Sequence, residues 1–124
     1  MNDYEEISLE LPKPPSLNKF YAGRHYTVRQ KYKAEYWSEI EKALEGFDKF
    51  HMESMSIHVR YNCRFDVDNA ICCSKFLADY LRKHEYINDD SPRFFTSQST
   101  TYDAEVPKDA FIATIKAHGY RLVE

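Results

Sequence analysis

Three aspartates and a lysine in one stretch of this chain have the types and spacing to do chemistry together. Asp66 and Asp68 stand one residue apart in the run DVDN, closed by Asn69, and a second acidic pair, Asp89 and Asp90, follows a helical stretch that carries Lys75. Carboxylates gathered in one place repel one another, and a hard divalent cation is their usual neutraliser. Oxygen donors without thiolate or imidazole select Mg²⁺ or Mn²⁺ over zinc. A cation held by Asp66, Asp68 and Asp90 suits phosphodiester hydrolysis, where it acidifies a bound water and offsets charge on the leaving oxygen. Lys75 would add a positive charge for a phosphate oxygen or the attacking water. Each feature also has an ordinary reading. Asp68 or Asn69 could cap a helix, Asp66 could end a strand in solvent, and Lys75 could pair with Asp79 one turn on.

Hydrophobic periodicity names the elements that must position these groups. Ile7, Leu9 and Leu11 alternate with Ser8 and Glu10, predicting a first strand stopped by the prolines of PKPPS. Tyr32, Tyr36, Trp37, Ile40, Ala43 and Leu44 recur at helical spacing, predicting a helix from about Arg29 to Leu44 with Gly46 beyond its end and the aromatic stripe in the core. From Met55 through Val67 the odd positions are apolar and the even ones polar, predicting a long strand with Asp66 and Asp68 on its polar face. Two residues apart on one face of a strand, their carboxylates would lie roughly 7 Å apart. A second helix is predicted from Asn69 to about Lys83, where Ala70, Cys73, Leu77, Tyr80 and Leu81 keep its period, followed by strands over Phe94–Tyr102 and Ala110–Ala117. The order β-α-β-α-β-β predicts an α/β (α+β) fold, residues 1–124 forming one domain with a mixed sheet flanked by helices.

Composition limits what that domain does. At 124 residues and 43% hydrophobic, the chain is long enough to bury about two thirds of its unfolded surface. No apolar run reaches the ~20 residues of a membrane span, and the N-terminus is acidic where a signal peptide would be basic, so a cytoplasmic protein is expected. Cys63, Cys72 and Cys73 are odd in number and contain no CxxC, which predicts reduced core thiols. His25, His51, His58, His84 and His118 form no ligand spacing and are read as structural or surface residues. The formal net charge is −3, yet no acid occurs from Leu11 to Ala34, where Lys13, Lys19, Arg24, Arg29, Lys31 and Lys33 alternate with Phe20, Tyr21, Tyr26 and Tyr32. Cations that neutralise phosphates beside aromatic faces that stack on bases make this arm a candidate DNA-binding surface. A solvated loop anchored by its aromatics is the plainer alternative.

Taken together, PPSLNKFY near the N-terminus, DVDN, the helix with Lys75, Asp79 and Leu81, and INDD resemble the RusA family of Holliday junction resolvases. The resemblance spans Leu11 to Ser91. It implies a RusA-like fold and a homodimeric, Mg²⁺-dependent crossover junction endonuclease acting in DNA recombination and repair by paired incisions across a four-way junction. By motif, Asp66, Asp68 and Asp90 correspond to the metal-binding catalytic carboxylates and Lys75 to the catalytic lysine, with Asn69 and Asp89 as supporting residues. Two departures stand out. Cys72 holds the place where the family carries its lysine, three residues after the asparagine, and His84-Glu85-Tyr86 replaces an expected glycine before the acidic pair. A three-residue shift along a helix turns a side chain by about 300° and moves it about 4.5 Å, a gap that a lysine spans. Two alternatives accompany the resolvase expectation: a branched-DNA binding module without catalysis, and a nuclease acting on flaps or forks.

Overall fold

The strands and helices appear in the order that the periodicity predicts, with one short helix added. A computed structural model describes residues 4–15 and 26–123. Along these run β1 (Glu6–Pro12), α1 (Tyr26–Leu44), β2 (Phe50–Tyr61), the single turn α2 (Val67–Ala70), α3 (Cys72–Lys83), β3 (Phe95–Tyr102) and β4 (Ala110–Leu122). Four strands make one mixed sheet in the order β1-β4-β2-β3. β4 is antiparallel to both β1 and β2, whereas β3 lies parallel to β2. The result is the expected α+β class.

One side of the sheet is apolar and sits under the helices. Ile7, Leu9, Leu11, Ile57, Val59, Phe111, Ala113 and Ile115 alternate into a core completed by Tyr36 and Ile40 of α1 and by Phe76, Leu77 and Leu81 of α3. Cys72 and Cys73 are buried free thiols, and Cys63 is a half-buried one. Two aromatic side chains lock the helices in place. The Tyr36 hydroxyl donates to the Pro12 carbonyl at 2.8 Å, and the Trp37 indole N–H donates to the Phe76 carbonyl at 3.1 Å. The aromatic stripe of α1 is thus core, as its spacing implies.

Three boundaries differ from those read in the sequence. β2 starts five residues before Met55, because the buried parity switches from Phe50 and Met52 to Met55, Ile57 and Val59 and breaks the alternation. It also stops at Tyr61, short of the aspartates. Asn62 turns the chain there: its side-chain amide donates to the Val106 carbonyl at 2.8 Å, and the Tyr61 hydroxyl donates to the Phe65 carbonyl at 2.9 Å. Cys63 and Phe65 keep the apolar rhythm because they pack onto the core from a loop. β4 runs on past Ala117 to Leu122 through Gly119, whose φ of 87° no ordinary side chain favours and where a Cβ would lie 2.6 Å from a Glu53 carboxylate oxygen.

The end of α3 bears on the missing glycine. His84 caps the helix, Glu85 N–H bonds the Arg82 carbonyl at 3.2 Å, Tyr86 N–H bonds the Leu81 carbonyl at 2.8 Å, and Glu85 takes φ 64°. This is the left-handed closing position that glycine ordinarily fills. Replacing Glu85 with glycine should therefore relieve backbone strain and raise stability by up to about 1 kcal/mol. Urea denaturation reads the change, and an unchanged or lowered midpoint would contradict it.

Candidate active site

The predicted site residues fall into two groups, at the two ends of α3. Asp66 occupies the N-cap position of α2 with extended backbone (φ −63°, ψ 155°) and forms no side-chain cap bond, while its carbonyl accepts the N–H groups of Asn69 and Ala70 at 2.9 and 3.0 Å. Asp68 lies in the first turn of that helix and is exposed, as is Asp66. The expectation that both sit on the polar face of a strand is therefore corrected. With β2 ended at Tyr61, strand periodicity no longer relates them, and the cap position belongs to Asp66 rather than to Asp68 or Asn69.

Asp90 stands at the other end. The loop after α3 passes Ile87, bridged to Met52, and enters β3 at Phe95, which pairs with Met55. Tyr61, after which DVDN follows, lies roughly 20 Å further along β2. The returning loop climbs only part of the way, so Asp90 does not rejoin Asp66 and Asp68. Among the described residues, no group of three or more His, Cys, Asp or Glu side chains is arranged to hold a metal ion. A magnesium centre built from Asp66, Asp68 and Asp90 does not fit this arrangement.

Asp90 and Lys75 are brought together instead. A cleft of about 440 Å³ between α1, α3 and the start of β3 is lined by Tyr26, Arg29, Lys33, Lys75, Asp79, Asp90 and Phe95. Lys33 reaches across from α1 to Asp79 at 3.3 Å and lies 4.9 Å from the centre of the Trp37 ring. Asp90 meets Arg82 at 3.8 Å. Asp89 shapes the loop: its carboxylate accepts the Asp90 N–H at 2.9 Å, and that bond, with help from the Ser91 side chain and the nearby Arg82, holds its pKa below the usual carboxylate range. Chemically, the cleft sets three cations around two acids, with an aromatic ring at either side. A phosphate group could enter such a site, with Asp90 as the acceptor for a proton or an oriented water.

The basic arm is divided between the two ends. Lys13 sits 5.1 Å from the Phe65 ring, next to DVDN, while Arg29 and Lys33 line the cleft and Lys31 is an exposed residue of α1. Lys19 and Arg24, with Ser16 to Tyr21 of the PPSLNKFY segment and His25, lie outside the described residues. Periodicity had no means of finding Tyr26, Phe95 or Arg82 as site residues. They come from three different elements, and only packing sets them beside one another.

No protein-family model matches the chain, and no curated protein matches it. The family resemblance rests on its motifs alone.

Cys72 forms part of the cleft wall, and burial pushes its thiol up to about 11, with Lys75 pulling the other way. Burial pushes the Cys73 thiol up to about 12, partly offset by the hydrogen bond from Tyr36. Both ordinarily titrate near 9.0, so above that value the unfolded chain releases these protons before the folded one does. The stability they contribute is complete below about pH 9 and is lost as pH rises toward 11 and 12. Denaturation midpoints measured from pH 8 to pH 11 should fall, and should fall less in Cys73→Ala. At pH 8, iodoacetamide should modify half-exposed Cys63 well before either buried thiol; equal rates for all three would contradict this packing.

Proposed function

We propose that this protein is a structure-selective endonuclease of branched DNA, a cytoplasmic homodimer whose substrate is the four-way junction of recombination and repair. The observation that carries the reading is the meeting of Lys75 and Asp90, two of the residues marked by the motif resemblance, in one cleft with Arg29 and Lys33. In this reading the three cations hold a backbone phosphate and spread its charge, and Asp90 orients the water that attacks it. Tyr26, which is 63% exposed, and Phe95 offer ring faces to an unpaired base at a branch point. An isologous dimer would present two such clefts to two strands. No helix among the described residues is long and apolar enough to cross a membrane.

The resemblance also implies Mg²⁺, with Mn²⁺ as its substitute. Because the three carboxylates do not group, no chemical step is assigned to an ion, and metal dependence becomes a variable of the assay. The same separation favours a second reading: a module that binds branched DNA and leaves it whole.

Cleavage of a labelled four-way junction, with linear duplex, flap and single strand alongside, separates the two. Wild type in Mg²⁺ or Mn²⁺ should give paired, symmetric nicks, and chelation should abolish them. Asp68→Asn, Asp90→Asn and Lys75→Ala should each lower the rate on the order of 10²-fold or more, with junction affinity retained in the two Asp→Asn variants. A junction bound tightly but uncut in either metal would replace the enzyme with the binding module. Preferential cutting of flaps would keep the nuclease and change its substrate.

A further inference from the structure

A second concentration of positive charge lies where the sequence gives no hint of one. At the end of the sheet far from DVDN, an open groove of about 510 Å³ is lined by Lys49 just before β2, Arg82 and Lys83 at the end of α3, and Arg121 near the end of β4. Glu85 is the one carboxylate among these lining residues. Four cations against one acid, in a chain whose formal charge is −3, is a pronounced local excess. The pieces are rigidly joined. Arg121 is paired across the strands with His51, and the Val123 N–H bonds the Lys49 carbonyl at 2.9 Å. The Lys49 ammonium donates to the His84 carbonyl and lies 3.7 Å from the centre of the Tyr86 ring, forming a fixed floor. Lys83 and Arg121 stand exposed at the rim.

Arg82 and Lys83 have a local use, because cations in the last turn of a helix complement its dipole. That account does not reach Lys49 or Arg121, which come from other elements and face the same groove.

We infer that this groove is a second DNA contact, gripping the sugar-phosphate backbone of a duplex arm away from the cleft. The lining chemistry selects that ligand. Guanidinium and ammonium groups match phosphate oxygens, and Asn88 and His51, themselves hydrogen-bonded at 3.1 Å, add polar edges. No aromatic ring lines the groove to stack on an unpaired base, so a single strand gains nothing there beyond charge. An acidic protein partner would lack the apolar anchor that such interfaces use, since the lining aliphatics are buried Ile87 and the edge residue Val123. Contacts of this kind set register and orientation on a duplex without reading bases. With a cleft at one place and a backbone grip at another, the protein would bind a branched molecule by its branch and by one arm. The identity of the polyanion rests on the reading under Proposed function.

Fluorescence anisotropy tests the groove without using cleavage. A labelled four-way junction, the linear duplex of one arm and one of its single strands are titrated with wild type, Lys83→Glu/Arg121→Glu, Lys83→Gln/Arg121→Gln and Glu85→Gln, at several salt concentrations. The charge reversal should weaken duplex and junction binding by tenfold or more and make the slope of log affinity against log salt shallower by about 2. The neutral pair should lose less, and Glu85→Gln should bind more tightly than wild type; unchanged circular dichroism melts would exclude misfolding as the cause. Duplex affinity within twofold of wild type in both paired variants would overturn the groove and leave the cleft reading intact. A wild type that bound none of the three DNAs would sink both. Displacement of the duplex by polyglutamate at equal charge concentration would overturn the DNA assignment in favour of an acidic protein.

Discussion

The parallel pairing of β3 with β2 governs where every functional group of this molecule lies. Parallel neighbours cannot be joined by a tight turn, so the chain leaving Tyr61 must cross back over the sheet before β3 begins, and α3 is that crossover. Whatever precedes α3 is placed at one end of the sheet, and whatever follows it at the other. DVDN precedes it, whereas Asp89 and Asp90 follow it. The register then decides the separation, since β3 joins β2 at Met55 rather than near Tyr61.

Charge follows the same geometry. The helix that divides the carboxylates also offers Lys75 to the cleft near its start and Arg82 and Lys83 to the groove at its end. α1, held against α3 by the bond from the Trp37 indole to the Phe76 carbonyl, brings Arg29 and Lys33 to the cleft. A chain with a net negative charge thus concentrates cations on two surfaces. For a polyanion it is this local field, and not the sum over the molecule, that decides attraction at distances beyond about 10 Å of screening.

Much of the architecture was legible because burial imposes periods. Ile7, Leu9 and Leu11 point inward every second residue on a sheet with one covered face, and Tyr36, Ile40 and Leu44 do so every fourth on a helix over it. The misreadings have the same physical root. Cys63 and Phe65 kept the strand rhythm from a loop, because packing onto the core rewards an apolar side chain whatever backbone carries it. Phe50 and Met52 fell out of rhythm inside a real strand, because the buried parity changes between Met52 and Met55. At Gly119 and Glu85 the backbone takes positive φ, in one case with the residue type that advertises it and in the other without.

By itself, the sequence determined the order of elements, the covered face of the sheet, the reduced state expected of the buried thiols, and the set of acids and cations available for chemistry. These depend on residue type and on short-range period, which the chain carries locally. Tertiary structure alone decided which of those groups meet. Asp90 joins Lys75, Arg29 and Lys33 and not Asp66 and Asp68, and Lys49, Arg82, Lys83 and Arg121 share a groove. Such meetings depend on strand register and crossover length, and a shift of a few residues in either moves a side chain by more than the reach of a hydrogen bond.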